Sequence, residues 1–261
     1  MVGRLKHQGT VRMTITRSTA YDQTLFAQNY PEGMENHYWS RARNWTIERM
    51  LERAVQMGIS TSHAPILEIG CGRGIVIDYL SGRGYSINGV ELGEVQPIPR
   101  VRDKVRAGIA AADLPAEERA GINTILLLDV IEHVEDDRAF VRSIRAAFPN
   151  CRCLIVTVPA RPEAWSRWDE HYGHFRRYTP DHLRTTLACI GTCKETRYFF
   201  RSLYLAAMFL RVWGRRRRVQ VKSPRHTAVH AAVAAALKAE TLLLPRFPIP
   251  GLSLAAICAV T

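Results

Sequence analysis

Paired C-x-x-C spacing is missing from this sequence: its six cysteines, Cys71, Cys151, Cys153, Cys189, Cys193 and Cys258, are scattered, several of them inside apolar runs. That pattern argues against a structural zinc site or a disulfide framework and fits reduced thiols packed as small hydrophobes. Also missing is any apolar run of the ~20 residues that spanning a bilayer requires. The longest near the C-terminus, LYLAAMFL at 203–210, is bounded by Arg201 and Arg211. The N-terminal MVGRLKHQGTVRMTITRS is basic without a continuous apolar stretch, which does not suit a secretory signal. Acidic residues are scarce, 24 against 36 Lys and Arg, giving a formal net charge of +12 and a surface that attracts nucleic acid, phosphorylated substrates or the cytoplasmic leaflet.

What is present is a globular composition, 47% hydrophobic and 23% charged, with length enough for one sizeable α/β core. Residues 1–22 read as a flexible basic arm and 23–261 as one folded domain. Helical spacing runs from about Glu35 to Met57, with Gly58 as its stop. PILEIG at 65–70 reads as a buried strand, and GCGRGIVIDYL as a glycine turn opening a helix. A strand at Tyr85–Val90, a helix near Pro97–Arg106 and a short strand at Gly108–Ala112 follow. INTILLLD at 122–129 and CRCLIVTVP at 151–159 are apolar enough for strands covered on both faces. Between them lies a helix, and after them come a polar and aromatic loop at 160–178 and a helix opening at Thr179-Pro180-Asp181. TCKETRYFF at 192–200 and LSLAAICAV at 252–260 read as a final antiparallel pair with mainly helical residues between them. The alternation implies an α/β fold with a mostly parallel sheet.

The turn ILEIGCGRG carries the first chemical signal. Gly70, Gly72 and Gly74, with Cys71 between the first two, let the backbone reverse sharply and a ligand approach the exposed amides at the helix start. The spacing departs from G-x-G-x-x-G, which disfavours a dinucleotide. Glu68 points from the strand end toward a cationic amine or an ordered water. Glu91, followed by Leu92, closes the second strand where a carboxylate accepts both hydroxyl hydrogens of a ribose diol. Asp113 suits an adenine amine and Leu114 the face of its ring; a solvated strand end or a helix cap is the plainer alternative for either acid.

ILEIGCGRG, GVELGE, AADLP and LLLDVIEHVED occur in the order used by class I S-adenosylmethionine-dependent methyltransferases, and the sequence resembles the quinone O-methyltransferase-like branch over roughly residues 35–200. The resemblance implies a Rossmann-like seven-stranded, mostly parallel sheet and S-adenosylmethionine as cofactor. By resemblance, Arg43 reaches the cofactor carboxylate, and Leu128 and Asp129 contact it from the fourth strand. His133 matches a residue near the reacting centre. It either takes a proton from a hydroxyl acceptor or simply starts a helix and bonds its neighbours. No metal is required, although similar quinone methyltransferases use a divalent ion near Asp129, Glu132 and His133.

The loop WSRWDEHYGHFRRYTPDHL gathers Trp165, Trp168, Asp169, His171, His174, Arg177 and Tyr178 where an acceptor pocket is expected. Its D-x-x-x-G-H-x-R-R-Y-T pattern resembles glycan- or lipid-type methyltransferases, which brings His174 and Arg177 to the acceptor and makes His174 a second catalytic candidate. Packing that merely orders the next helix is the alternative. Segment 201–250 reads as a helical cap, either peripheral at an anionic membrane face or packed on its own domain or a second subunit. The expected function is methylation of a small-molecule, glycan or lipid-type hydroxyl in the cytoplasm or at the inner membrane face. The alternatives are an RNA or protein methyltransferase using the basic surface and a non-catalytic scaffold. Nucleic acid is the less favoured partner because DVIEHV stands where an N-P-P-Y-type motif would.

Overall fold

The structure, a computed structural model, describes residues 31–212, 223–244 and 249–261. The arm at 1–22 and Arg215–Arg218 lie outside the described residues. The first long helix, α1 (Tyr38–Gln56), starts where the His37 side chain accepts from the Trp39 amide, and it buries Ala42, Ile47, Met50, Leu51 and Ala54 at helical spacing. β1 (Ile66–Ile69) runs through the glycine turn into α2 (Ile75–Ser81), and then come β2 (Ile87–Glu91) and β3 (Val105–Ala107). The short helix α3 (Ala116–Gly121) leads to β4 (Thr124–Leu128), α4 (Asp137–Ala147) and β5 (Cys153–Pro159). α5 (Arg167–His171), α6 (Pro180–Leu187), β6 (Gly191–Phe199), α7 (Arg201–Val212), α8 (Thr227–Leu243) and β7 (Ser253–Val260) complete the order.

Among the described residues seven strands form one sheet in the order β3-β2-β1-β4-β5-β7-β6. β1 to β5 pair in parallel, and β7 lies antiparallel between β5 and β6. Every residue of β1 and β4 is buried because both sheet faces are covered, which is why these strands are almost continuously apolar. Alternate side chains divide between two cores. Leu126, Leu128 and Ile155 meet α1, α2 and α8, whereas Ile125, Leu127 and Val156 meet α4 and α6.

Three local expectations are corrected. The helix expected at 97–106 is a 3₁₀ segment, Pro99–Lys104, and the adjoining strand is Val105–Ala107, not 108–112. Residues 111–113 form a 3₁₀ turn. The loop expected across 160–178 contains α5, opened by a capping box in which Ser166 and Asp169 satisfy each other's backbone amides. The helices between β6 and β7 are present as expected, and α8 packs on α1: the Tyr38 amide donates to His230 Nδ1 at 3.2 Å, and Ala234 and Leu237 join the core. Among the described residues no helix is long and apolar enough to cross a membrane.

Candidate active site

Parallel strands deliver their C-terminal ends to one edge of a sheet, and ligands of such sheets gather there. At that edge β1 turns on Gly70, Gly72 and Gly74, all with positive φ (75°, 53° and 82°). A Cβ on Gly70 would sit 2.8 Å from Val130 Cγ2, and one on Gly74 2.8 Å from Val105 Cγ2, so close packing as well as φ excludes larger residues. The amides of Gly70 and Cys71 donate to Val90 O, tying the turn to β2. Cys71 itself is buried and faces Gly89, where any Cβ would come within 2.7 Å of its Sγ.

The Glu91 carboxylate closes β2 across this turn. Its two oxygens accept from the Gly72 and Gly93 amides, each at 2.9 Å, so it is aimed at the glycine loop. Leu92 beside it is exposed. Glu68 is 2% exposed and its Oε2 lacks a hydrogen-bond partner. Burial raises its carboxyl to about 8, with Arg43 opposing and the Glu91 and Asp129 charges reinforcing the rise.

Asp129 follows β4 directly and takes φ 56°, a left-handed conformation that Asp tolerates better than most side chains. Its carboxylate bridges two elements: Oδ2 accepts from Arg43 of α1 at 2.5 Å and Oδ1 from the Thr157 hydroxyl of β5 at 3.1 Å. Arg43, Glu68, Gly70, Glu91 and Asp129 therefore cluster at one sheet edge. Asp113 is exposed on its 3₁₀ turn, whereas Leu114 and Leu128 are buried in opposite cores.

Beyond Asp129 the chain brings in Glu132 and His133. Glu132 is fully buried, neither of its oxygens has a hydrogen-bond partner, and burial, reinforced by Asp129, pushes its carboxyl well above the usual carboxylate range. His133 is lowered to about 4, by burial first and then by His174. The two imidazoles meet edge to face, with ring centroids 4.7 Å apart. Glu132, His133 and His174 each offer a ligand atom within 4.8 Å of the others, a spacing that suits a divalent cation.

The aromatic loop is organised by Asp169. Its Oδ1 lies 2.9 Å from His174 Nδ1 and accepts from Arg177 Nε at 2.7 Å, while Oδ2 accepts from the Ser166 amide at 2.8 Å. Burial would raise this carboxyl, but the hydrogen bonds from His174 and Arg177 and the Arg177 charge outweigh it and hold it below its ordinary value. Arg177 also donates to Ala160 O at 2.9 Å. Trp165 is partly exposed and Trp168 exposed, the latter stacked on Tyr172, with His171 beside them. Tyr178 departs from the group. It is fully buried and its hydroxyl donates to Asp137 Oδ2 at 2.8 Å, so it braces α4 from within the core. Asp137, Thr157 and Gly89 also support the site, although the sequence does not single them out. A lone polar residue inside LIVTVP and a glycine inside a strand were the available signals.

A sheet ordered 3-2-1-4-5-7-6, a glycine turn after β1 and acids closing β2 and β4 together define the class I methyltransferase architecture. The family profile described as "Methyltransferase domain" matches residues 38–191, more than half of the sequence, and the chain belongs to that family. A ubiquinone biosynthesis O-methyltransferase of Pseudomonas aeruginosa (strain LESB58) is 29% identical over 108 residues, covering 38% of this chain and 47% of that protein. The chain thus spans about half the length of the curated relatives it matches. Among solved structures, a SAM-dependent methyltransferase from Archaeoglobus fulgidus aligns with a TM-score of 0.47 and 15% identity over 83% of this chain and 94% of that one. Geranyl diphosphate C-methyltransferase from Streptomyces coelicolor A3(2) aligns with a TM-score of 0.49 and 15% identity, covering 82% and 80%.

Proposed function

We propose that this chain is an S-adenosylmethionine-dependent methyltransferase acting on a hydroxyl of a small-molecule, glycan or lipid-type acceptor. The observation that carries the reading is the convergence of the glycine turn, Glu68, Glu91 and the Arg43–Asp129 pair at one sheet edge. These residues fit the cofactor's groups. Glu68, buried with an unpartnered oxygen, matches the amine of the methionyl part, Arg43 its carboxylate, and Glu91 the ribose diol. When bound, the cofactor supplies an electrophilic methyl group on a sulfonium.

The protein's share is orientation and proton removal. With the Asp169 carboxylate ionised, His174 donates its Nδ1 proton to it, which leaves Nε2 as a proton acceptor. His133, lowered to about 4 by burial and by the neighbouring His174 ring, stays neutral and shapes the wall. We therefore assign proton removal to His174, positioning to Asp169 and Arg177, and the acceptor's flank to Trp165, Trp168 and His171. A cytoplasmic setting matches both the cofactor and the thiols.

Titration calorimetry with S-adenosylhomocysteine tests the first half. Wild type is expected to bind, and Glu91→Ala to bind about tenfold or more weakly through loss of charge-assisted hydrogen bonds. Absence of binding by the wild type would overturn the reading. For the second half, labelled cofactor is supplied with extract fractions of quinones, glycans and lipids. His174→Ala is expected to lower methyl incorporation by about 10²–10⁴ with cofactor affinity retained.

A further inference from the structure

Helix α8 has the wrong composition for a helix with a wet side. Its buried stripe, Ala234, Leu237 and Thr241, faces α1. Yet its exposed positions are apolar as well: alanines at 232, 235, 236 and 239 are interleaved with Val229 (61% exposed), Val233, Leu242 and Leu243 (75%). Lys238 and Ala235 line a polar groove with Arg41, Asp78 and Arg83, but the stripe of Val229, Val233, Ala236 and Leu243 is apolar and exposed, and such a stripe is expected to be covered. On α7, Leu205 (55%) and Phe209 (60%) are exposed one turn apart. Seven of the eleven exposed large hydrophobics among the described residues lie on these two helices.

Charge decides what covers them. From Ser202 to Ala239 the sequence carries eight Lys and Arg residues and no Asp or Glu, against a net +12 for the whole chain, while Arg201 before them is buried. The next acid, Glu240, is turned inward: its carboxylate accepts from the Arg201 and Ser202 amides at 2.5 and 3.0 Å, capping α7 and locking the two helices together. An apolar face in a basic segment without acids matches a surface that is apolar inside and anionic outside. At 17 residues α8 is too short to span a bilayer and long enough to lie along one.

We infer that α7 and α8 form a docking face for an anionic lipid bilayer, with Val229, Val233, Leu243, Leu205 and Phe209 entering the acyl boundary. This inference stands apart from the methyl-transfer reading, because its readout is lipid binding alone. The test is flotation of the full chain with vesicles of equal parts phosphatidylglycerol and phosphatidylcholine, and with phosphatidylcholine alone. Wild type is expected to float with the anionic vesicles, less at high salt, and not with the zwitterionic ones. Val229→Asp combined with Leu243→Asp is expected to weaken binding about tenfold or more with an unchanged thermal midpoint. Should that pair fail to fold, Leu205→Asp with Phe209→Asp decides. The proposal is overturned if wild type ignores anionic vesicles, if folded aspartate variants bind as well as wild type, or if wild type is a dimer that the same aspartates dissociate without any vesicle binding.

Discussion

Glu68 concentrates the electrostatic tension of the site. Its folded carboxyl titrates at about 8 against an ordinary 4.5, so the folded chain holds a proton that the unfolded chain releases between those values. The stability linked to it is complete below pH 4.5 and declines as pH rises through about 8. The thermal midpoint of the wild type should accordingly carry a downward component over that window, and Glu68→Gln should flatten it; Glu132, raised in the same direction, keeps the slope from vanishing. A steeper fall in the variant would contradict the assignment. Binding of a ligand ammonium beside Glu68 should also expel a proton near neutral pH, seen as a buffer-dependent enthalpy in calorimetry. The acids were legible as acids because they end apolar strands. Their partners were not, since a single sequence does not reveal that Asp129 would span α1 and β5 or that Asp169 would hold His174. Tyr178 shows the limit most plainly: among so many aromatic and polar neighbours, nothing local marked it as the one turned inward to Asp137.

At the scale of elements, the strand–turn–helix unit from β1 to α2 was readable because its constraints are local: an apolar run, then glycines where φ is positive. Gly89 extends that logic across strands. A Cβ there would meet Ile77 Cδ1 at 2.5 Å and Cys71 at 2.7 Å, so the glycine is what lets the turn and α2 settle onto β2. Gly89→Ala is expected to destabilise the fold by about 1–3 kcal/mol through overpacking, measured as a lower denaturant midpoint at unchanged slope. An unaltered midpoint would show that Ile77 and Cys71 yield freely. Where elements are short, periodicity had too little to act on. β3 has three residues and α5 five, and both are fixed by their neighbours: β3 by pairing with β2, α5 by the Ser166–Asp169 box.

Across the whole molecule, strand count and alternation were visible in the apolar runs, whereas spatial order required long-range pairing that no window contains. Among the described residues β7 follows all the other strands along the chain, but it is an interior one in the sheet, bonded to β5 on one side and β6 on the other. That placement turns the order of synthesis into a hazard. Residue 153, where β5 begins, leaves the ribosome 100 residues ahead of residue 253, a delay on the order of 5–20 s at ordinary elongation rates. Throughout it CLIVTVP presents a bare edge of high β-propensity, the kind that recruits foreign strands. Ribosome-bound chains stalled short of Ser253 should therefore crosslink to holding chaperones. Chains tethered far enough past Thr261 to clear the ribosome should not, because only then does β7 slide into the gap kept for it.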